Sequence, residues 1–416
     1  MKFAKFTRNQ LLLLITVWLT FMLSFVARLS WSTLMPIVND ALHFTVLQGT
    51  SYVTAFYVGY AFMVLPGGLI ADRIGYRKMI MFSLIAMAIV TGLMSTINDY
   101  ATGFILRFIL GLVAGPIQSS CLSAIGDSFN DKQRGTAVGL FMTCTSFGIT
   151  VVNLYAPTVA FHYGWRVAFM ITALLPLLVL FLSFFTLKNA KLNTVPSVVT
   201  NTASGVVKNI VKTTVSTVPT KSITQKLSIL IRDRNVIMLS ICGLFATGTT
   251  WGVTNWTNLY MVKHLGISAV HAGSVMVVYG LAALISKPTI GILSDILPIR
   301  KNFLAAMAVF LMVPALLLFA NTVNPSMLYV TGTFLGIGAF MYSAVTNALV
   351  IQVAHPDMRA TTAGFVNLFN QIGALSAPLF LGGVLKATGN YSEALMIIAA
   401  FPLISCVALT LIKLKK

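Results

Sequence analysis

The sequence predicts an all-α membrane protein with twelve transmembrane helices in two pseudo-symmetric six-helix bundles and both termini cytoplasmic. Three observations predict it. The chain is 57% hydrophobic and 9% charged, with a mean hydropathy of +0.89, so most of it could not face water. Apolar runs of about 20 residues, each long enough to cross a ~30 Å hydrocarbon core as a helix, recur from Leu11 to Leu411. Motifs of the first half return in the second.

The spans are placed at 11–37, 47–70, 79–97, 101–126, 135–160, 165–187, 236–262, 271–292, 302–320, 327–350, 360–386 and 393–412. With this assignment, 22 of the 28 basic residues fall at the termini and in the loops on their side, among them Arg73, Arg77, Lys78, Arg300 and Lys301. The opposite loops hold Arg166, Lys263 and Lys386. That asymmetry follows the positive-inside rule and puts the termini in the cytoplasm. It also accounts for the net charge of +19 without a nucleic-acid partner, which would need the charge gathered on one face of a soluble module. The basic start and apolar run from Leu11 could pass for a secretory signal, but the run is long, no small-residue cleavage pattern follows it, and eleven more spans do. Cys121, Cys144, Cys242 and Cys406 all lie inside spans without metal-like spacing and read as small packing residues.

The long polar stretch 188–235 divides the chain into an N-terminal six-helix unit (1–187) and a C-terminal one (236–416). Within it, Val206, Val207, Ile210 and Val211 alternate with Lys208 and Lys212, which suits either a helix lying on an anionic leaflet or a flexible linker. GLIADRIGYRK (68–78) aligns with GILSDILPIRK (291–301), matching Asp72 to Asp295. Arg134–Gly139 aligns with Arg359–Gly364, and Leu110-Gly111 with Leu335-Gly336. Repeated six-helix halves around a midplane site are a recurring transporter design.

These residues carry a resemblance. Gly68-x-x-x-Asp72-Arg73-x-Gly75-x-Arg77-Lys78 resembles the signature loop of the major facilitator superfamily, with a degenerate copy between the eighth and ninth spans. Pro66-Gly67-Gly68, Arg107-x-x-x-Gly111-x-x-x-Gly115 and Gly164-Trp165-Arg166-x-x-Phe169 look like its anion:cation symporter branch. Lys287-Pro288-x-x-Gly291 is similar to the basic-Pro-x-x-Gly pattern of oxalate and monocarboxylate carriers, which place arginine where this chain has lysine. The resemblance implies a monomeric, multi-pass carrier of the cell membrane, as in a bacterial inner membrane, working by alternating access. It implies no cofactor, and a proton or sodium ion as coupling ion. Gly68, Asp72, Arg73, Gly75, Arg77, Lys78, Asp295, Arg300 and Lys301 are expected to act in gating. Close helix approach at the glycines, and a charge network from Asp72 and its basic neighbours to a helix end of the other bundle, would hold one orientation of the halves.

The charges inside the spans point to the cargo. Arg28, Arg107 and Lys287 are interior, whereas the nine acids and five histidines fall at helix ends or in loops. A cation at mid-span costs about 2.5–3.5 kcal/mol on insertion scales, so such residues face a cavity or a partner. A cavity with positive charge and no protein counter-ion suits an anion. Arg28 matches the first-helix arginine that the resembling symporters use for a carboxylate, with Ser24, Trp31 and Ser32 on its face. Arg107 and Lys287 each lie near enough to a helix end to snorkel instead. Gln118, Tyr52, Tyr60, Trp251, Asn255, Tyr279, Tyr342, Asn367, Asn370 and Gln371 are candidates to complete a polar lumen, although each alone is as readily interhelix glue. Proton coupling through a buried carboxylate is disfavoured, because the first acid of the fourth span region is Asp127. Exchange, uniport or a proton carried by the substrate remain. The expected cargo is thus a small mono- or dicarboxylate, with drug efflux or a neutral sugar or nucleoside as alternatives. An enzyme is excluded by the lack of any Ser/His/Asp set, metal cluster or phosphate-cradling loop.

Overall fold

The computed structural model describes residues 6–187, 223–354 and 359–414, but excludes the side chains of Leu65, Leu69, Asp72, Asp131, Lys132, residues 223–226, Asp295, Arg359 and Ala360. The spans are α1 (Arg8–Leu42), α2 (Val46–Ile74), α3 (Tyr76–Leu93), α4 (Tyr100–Ser128), α5 (Gln133–Tyr163), α6 (Trp165–Thr186), α7 (Arg234–Lys263), α8 (Ala269–Ile296), α9 (Lys301–Ala320), α10 (Met327–Val353), α11 (Arg359–Thr388) and α12 (Tyr391–Thr410). Eleven described helices are long and apolar enough to cross a bilayer, and α2, with 29 residues, supplies the twelfth.

The helices run past the ends expected from hydropathy because polar caps extend them. Thr7 and Gln10 form a capping box at the start of α1, as do Thr45 and Gln48 at α2, and Pro36 is absorbed inside α1 rather than ending it. Five expected helices are interrupted: α4 breaks at Gly115-Pro116, α7 carries a π-turn over Gly243–Thr247, and α5, α9 and α12 break at Thr143, Leu311 and Ala399-Ala400. The segment Val206–Val211 lies outside the described residues; a short amphipathic helix, Ile223–Arg232, with Leu230 buried, precedes α7.

Two motif glycines make the sharp reversals. Gly75, between α2 and α3, and Gly164, between α5 and α6, have φ of 87° and 84°, a region open to glycine. Directly after the second turn, Arg166 lies 4.2 Å over the Trp165 ring and donates to Asn98 and the carbonyl of Ile97. The Gly-Trp-Arg motif therefore latches the α3–α4 loop.

The surface is inverted relative to a soluble protein. Phe62, Phe161 and Phe181 are largely exposed, while Thr16, Thr20, Thr249 and Thr257 are buried and bond carbonyls of their own helices. This is the arrangement that a hydrocarbon solvent requires.

Inside the N-terminal bundle, α2 and α4 cross at near-backbone contact. A Cβ on Gly59 would meet the Phe108 carbonyl oxygen at 2.1 Å, and one on Gly111 the Phe56 oxygen at 2.1 Å. Gly103 and Gly115 face Tyr52 and Met63 on the same line. Spacing of four residues along α4 puts these glycines on one face.

Between the bundles, contacts gather at the end away from the termini. Lys263 pairs with Asp40 there. Asn153 Oδ1 accepts from Thr33 and from Asn258, and Asn255 joins Ser32 to Tyr57. Glycines again permit the approach, because a Cβ on Gly273 would meet the Asn153 oxygen at 2.7 Å and one on Gly280 the Thr150 hydroxyl at 2.4 Å. At the end carrying the termini, the segments Ile117–Ser128 and Asp131–Met142 make their contacts chiefly within their own bundle. The described cross-bundle hydrogen bonds thus concentrate toward the end away from the termini.

Two outcomes follow from these contacts. Gly111→Val should destabilise the protein by about 1–3 kcal/mol or more, since the added atoms meet backbone that cannot yield without separating α2 from α4. A thermal melt beside Gly126→Ala, where no atom lies within 4 Å, should show a drop for the first variant alone. Asp40→Asn should loosen the end away from the termini modestly, because an exposed pair is worth about 0–1 kcal/mol. A cysteine at Thr33, labelled from the side opposite the termini by an impermeant thiol reagent, should then react up to about fivefold faster; an unchanged rate would show that the pair does not hold this end shut.

Candidate functional site

The α2–α4 crossing determines where the central charges lie. Arg107 stands on the glycine face of α4, between Gly103 and Gly111, and is 1% exposed. Its Nε donates to the Tyr52 carbonyl at 3.4 Å, Nη1 to Ala27 at 3.3 Å and Nη2 to Arg28 at 2.9 Å. These bonds tie α4 to α1 and α2. Arg107, expected among the substrate contacts, has all three of its nitrogens engaged by backbone carbonyls.

Arg28 is different. It is 6% exposed, and its guanidinium carbon lies 4.2 Å from the Tyr57 ring, 4.4 Å from Trp251, 5.1 Å from Phe25, 5.5 Å from Phe56 and 5.8 Å from Tyr60. Aromatic faces attract a cation but accept no full hydrogen bond. Nε is buried with no hydrogen-bond partner, and among the described residues no carboxylate pairs with this arginine. The cage spans both bundles, since Trp251 belongs to α7.

Lys287 does not snorkel to the end of α8. Its Nζ donates to Thr145 Oγ1 and Ser146 Oγ, both at 2.8 Å on α5, and lies 4.8 Å from the Phe340 ring. Hydroxyls solvate the ammonium without neutralising it. Phe340 packs edge-on against Trp251 at 5.8 Å, so one aromatic wall has Arg28 at one side and Lys287 at the other. Gln118 and Tyr60 stand together near Arg28, with the Tyr60 hydroxyl 3.5 Å from Gln118 Oε1. Asn255, bonded to Ser32, Tyr57 and the Trp251 carbonyl, roofs the site toward the end away from the termini.

Other expected ligands belong to the bundle interiors. Trp31 stacks on Tyr52 at 4.3 Å and donates to the Gly49 carbonyl, while Tyr52 donates to that of Tyr100. The hydroxyls of Tyr279 and Tyr342 are bonded to Thr254 and Thr250. Each of these four bonds to a neighbouring helix or loop of its own bundle. Ser24 is buried in α1. Asn367, Asn370 and Gln371 are half-buried on α11, and Asn370 Oδ1 is a buried acceptor without a partner beside Gly243 of the π-turn.

Of the gating residues, Gly75 forms the α2–α3 turn, and a Cβ on Gly68 would lie 3.7 Å from Ser119. Arg77 lies 6.0 Å from the Phe184 ring of its own bundle, Arg73, Lys78 and Arg300 are exposed, and Lys301 begins α9. The side chains of Asp72 and Asp295 are outside the described residues. Tyr57, the ring nearest Arg28, was missed in the sequence. Its three-residue spacing from Tyr60, and that of Phe25 from Arg28, are the signals that place these rings around one charge.

The chain matches the family model of the Major Facilitator Superfamily over residues 17–378, and again over 239–416. It is 24% identical to a probable galactarate/D-glucarate transporter of Bacillus subtilis (strain 168), over 83% of this chain and 79% of the relative. It is 20% identical to a hexuronate transporter of the same organism, over 94% and 92%. Among solved structures it resembles an inward-facing, unoccupied bacterial homologue of the human lysosomal transporter Spinster, with a TM-score of 0.76, 14% identity and 98% of each chain covered. Helix count, repeated halves, signature loop and family match agree: the chain belongs to the Major Facilitator Superfamily and is a multi-pass membrane transporter, not an enzyme.

Proposed function

We propose that the protein moves a small organic anion of the sugar-acid class, with a carboxylate received by Arg28 and the far end of the molecule directed toward Lys287. The observation that carries this reading is the caged guanidinium of Arg28, buried with Nε unpartnered and without an acid. An anion supplies what the rings cannot: acceptor oxygens and the missing charge. Gln118, Tyr60, Asn255, Thr145 and Ser146 offer amides and hydroxyls that suit a hydroxylated cargo. The names of the two Bacillus relatives, transporters of galactarate/D-glucarate and hexuronate, support the same class.

In this reading the basic loops place the termini in the cytoplasm, so the end where the cross-bundle bonds gather faces outward. Anion binding between Arg28 on α1 and Lys287 on α8 would draw the bundles together around the cargo. Asn255 of α7 joins Ser32 and Tyr57 of the other bundle, and an opening of that outer end would part these bonds. Closing one end and parting these bonds at the other is a rocking of two rigid halves about the site. Lys287 acts as a point charge where a guanidinium would present a fork, so it favours the charge of the second group over its orientation. Efflux of cations has less support, because the site gathers positive charge and aromatic faces without an acid among the described residues.

Proteoliposome uptake of radiolabelled glucarate tests the proposal. A charge-assisted hydrogen bond is worth about 1.5–3 kcal/mol, so Arg28→Gln should reduce uptake by roughly 10- to 100-fold. Lys287→Gln should raise KM with a smaller loss of rate, and Lys287→Arg should preserve uptake. Wild-type uptake in both glutamine variants, or equal competition by a sugar and its carboxylate analogue, would overturn the proposal.

A further inference from the structure

The C-terminal bundle carries a second concavity, remote from the aromatic wall. An apolar groove of about 520 Å³ lies between α8, α9, α10 and α12, lined by Ile290, Leu293, Met307, Met341 and Cys406. α9 packs chiefly on α10 and α12, and its Phe303, Met307 and Phe310 are exposed, so the groove opens on the bilayer side of the bundle. At the end of the molecule that holds the termini it runs into a polar pocket of about 350 Å³, and Phe303 and Thr410 line both.

The polar pocket is built from the ends of three spans. Arg234 comes from the start of α7, Arg300 from the residue before α9 and Lys413 from just beyond α12. Asn235 fixes Lys413 beside Arg234, donating to its carbonyl at 3.0 Å and accepting from its N–H at 2.9 Å. Among the described residues no acidic one lines the pocket. α9 begins there without a side-chain cap; the Phe303 N–H turns back to the Arg300 carbonyl, and those of Lys301 and Asn302 precede it at the helix end that favours an anion. Asn302 also lines it. That residue is 3% exposed, its Nδ2 is spent on the Leu409 and Ile412 carbonyls, and its Oδ1 is buried with no partner. The site thus offers three cations and a helix N-terminus for a phosphate, and one acceptor that awaits a donor.

We propose that this surface binds an anionic glycerophospholipid with a hydroxyl-bearing headgroup: phosphate on Arg234, Arg300 and Lys413, a headgroup hydroxyl donating to Asn302 Oδ1, and an acyl chain in the groove. The joined geometry selects a lipid over a free anion, since a soluble phosphate would leave the continuous apolar groove without an occupant. Its level suits the occupant as well. Basic pockets between helices on the cytoplasmic side are where anionic headgroups bind. None of these residues belongs to the anion path between Arg28 and Lys287, so the inference is independent of the proposed cargo.

Native mass spectrometry of the full-length protein, stripped of lipid in detergent, tests it with phosphatidylglycerol, phosphatidylcholine of the same acyl chains, and glycerol 1-phosphate. Phosphatidylglycerol should bind at least about tenfold more tightly than phosphatidylcholine, given the contribution of each basic residue near a headgroup, and glycerol 1-phosphate should not displace it. Arg234→Gln with Lys413→Gln, both at exposed positions, should abolish the preference. Met307→Trp should weaken retention of both lipids by filling the groove. Equal binding of the two lipids, displacement by glycerol 1-phosphate, or an unchanged preference in the double variant would overturn the proposal. Should the double variant fail to fold, Asn302→Leu in its place should reduce binding of phosphatidylglycerol more than that of phosphatidylcholine, and equal reduction would count against it.

Discussion

The crossing of α2 on α4 sets the position of everything charged in the middle of the N-terminal bundle. Glycines at 59 and 111 bring the two backbones into direct contact, and those at 103 and 115 make room for Tyr52 and Met63. Arg107 is carried inward with α4, and its only acceptors are carbonyls of α1 and α2. One of those carbonyls is that of Arg28. The guanidinium of one buried arginine therefore holds the backbone of the other. Replacing a glycine on this line would misplace Arg28 without touching it.

The electrostatic character of the site follows from what surrounds Arg28. Removing a guanidinium from water is costly unless something replaces its hydration. Five aromatic faces offset part of that cost through cation–π attraction, but rings do not take up its N–H donors. The charge remains available, and the cage has one wall on each bundle, with Trp251 contributed by α7. On the proposed reading, an anion that completes the arginine's hydrogen bonds would also touch the contact between the halves, and the cross-bundle bonds of Asn255 and Asn153 lie beyond it.

Much of this was legible beforehand. Twelve apolar runs, the segregation of basic loops and the repeat of residues 68–78 at 291–301 identified the membrane fold and its two halves, because a bilayer imposes length and charge rules on each span separately. Arg28 and Lys287 were legible for the same reason: a lone cation in an apolar run is conspicuous. Tyr57 was not, since one tyrosine among many carries no signal until the neighbouring helix is known. Trp31, Tyr52, Tyr279 and Tyr342 were read as lumen-lining, and their hydrogen-bond partners were not legible, because polarity along a helix identifies the interior of a membrane protein without separating a cavity from a packed bundle. Asp40 and Lys263 stand 223 residues apart, and no local pattern joins them.

The amino-acid sequence by itself determined the solvent of this protein, the number of its spans and the presence of positive charge within them, all of which are properties of single helices in hydrocarbon. The tertiary structure alone decided which of those charges is spent. Arg107 and Arg28 are chemically alike and similarly buried, yet all three nitrogens of one are bonded to backbone carbonyls, while the other sits among five rings with its Nε unpartnered. That difference arises from how closely α2, α4 and α1 approach and from the placing of α7 against α1. Such distances are set by glycine contacts between helices, so they come into being only when the bundle packs.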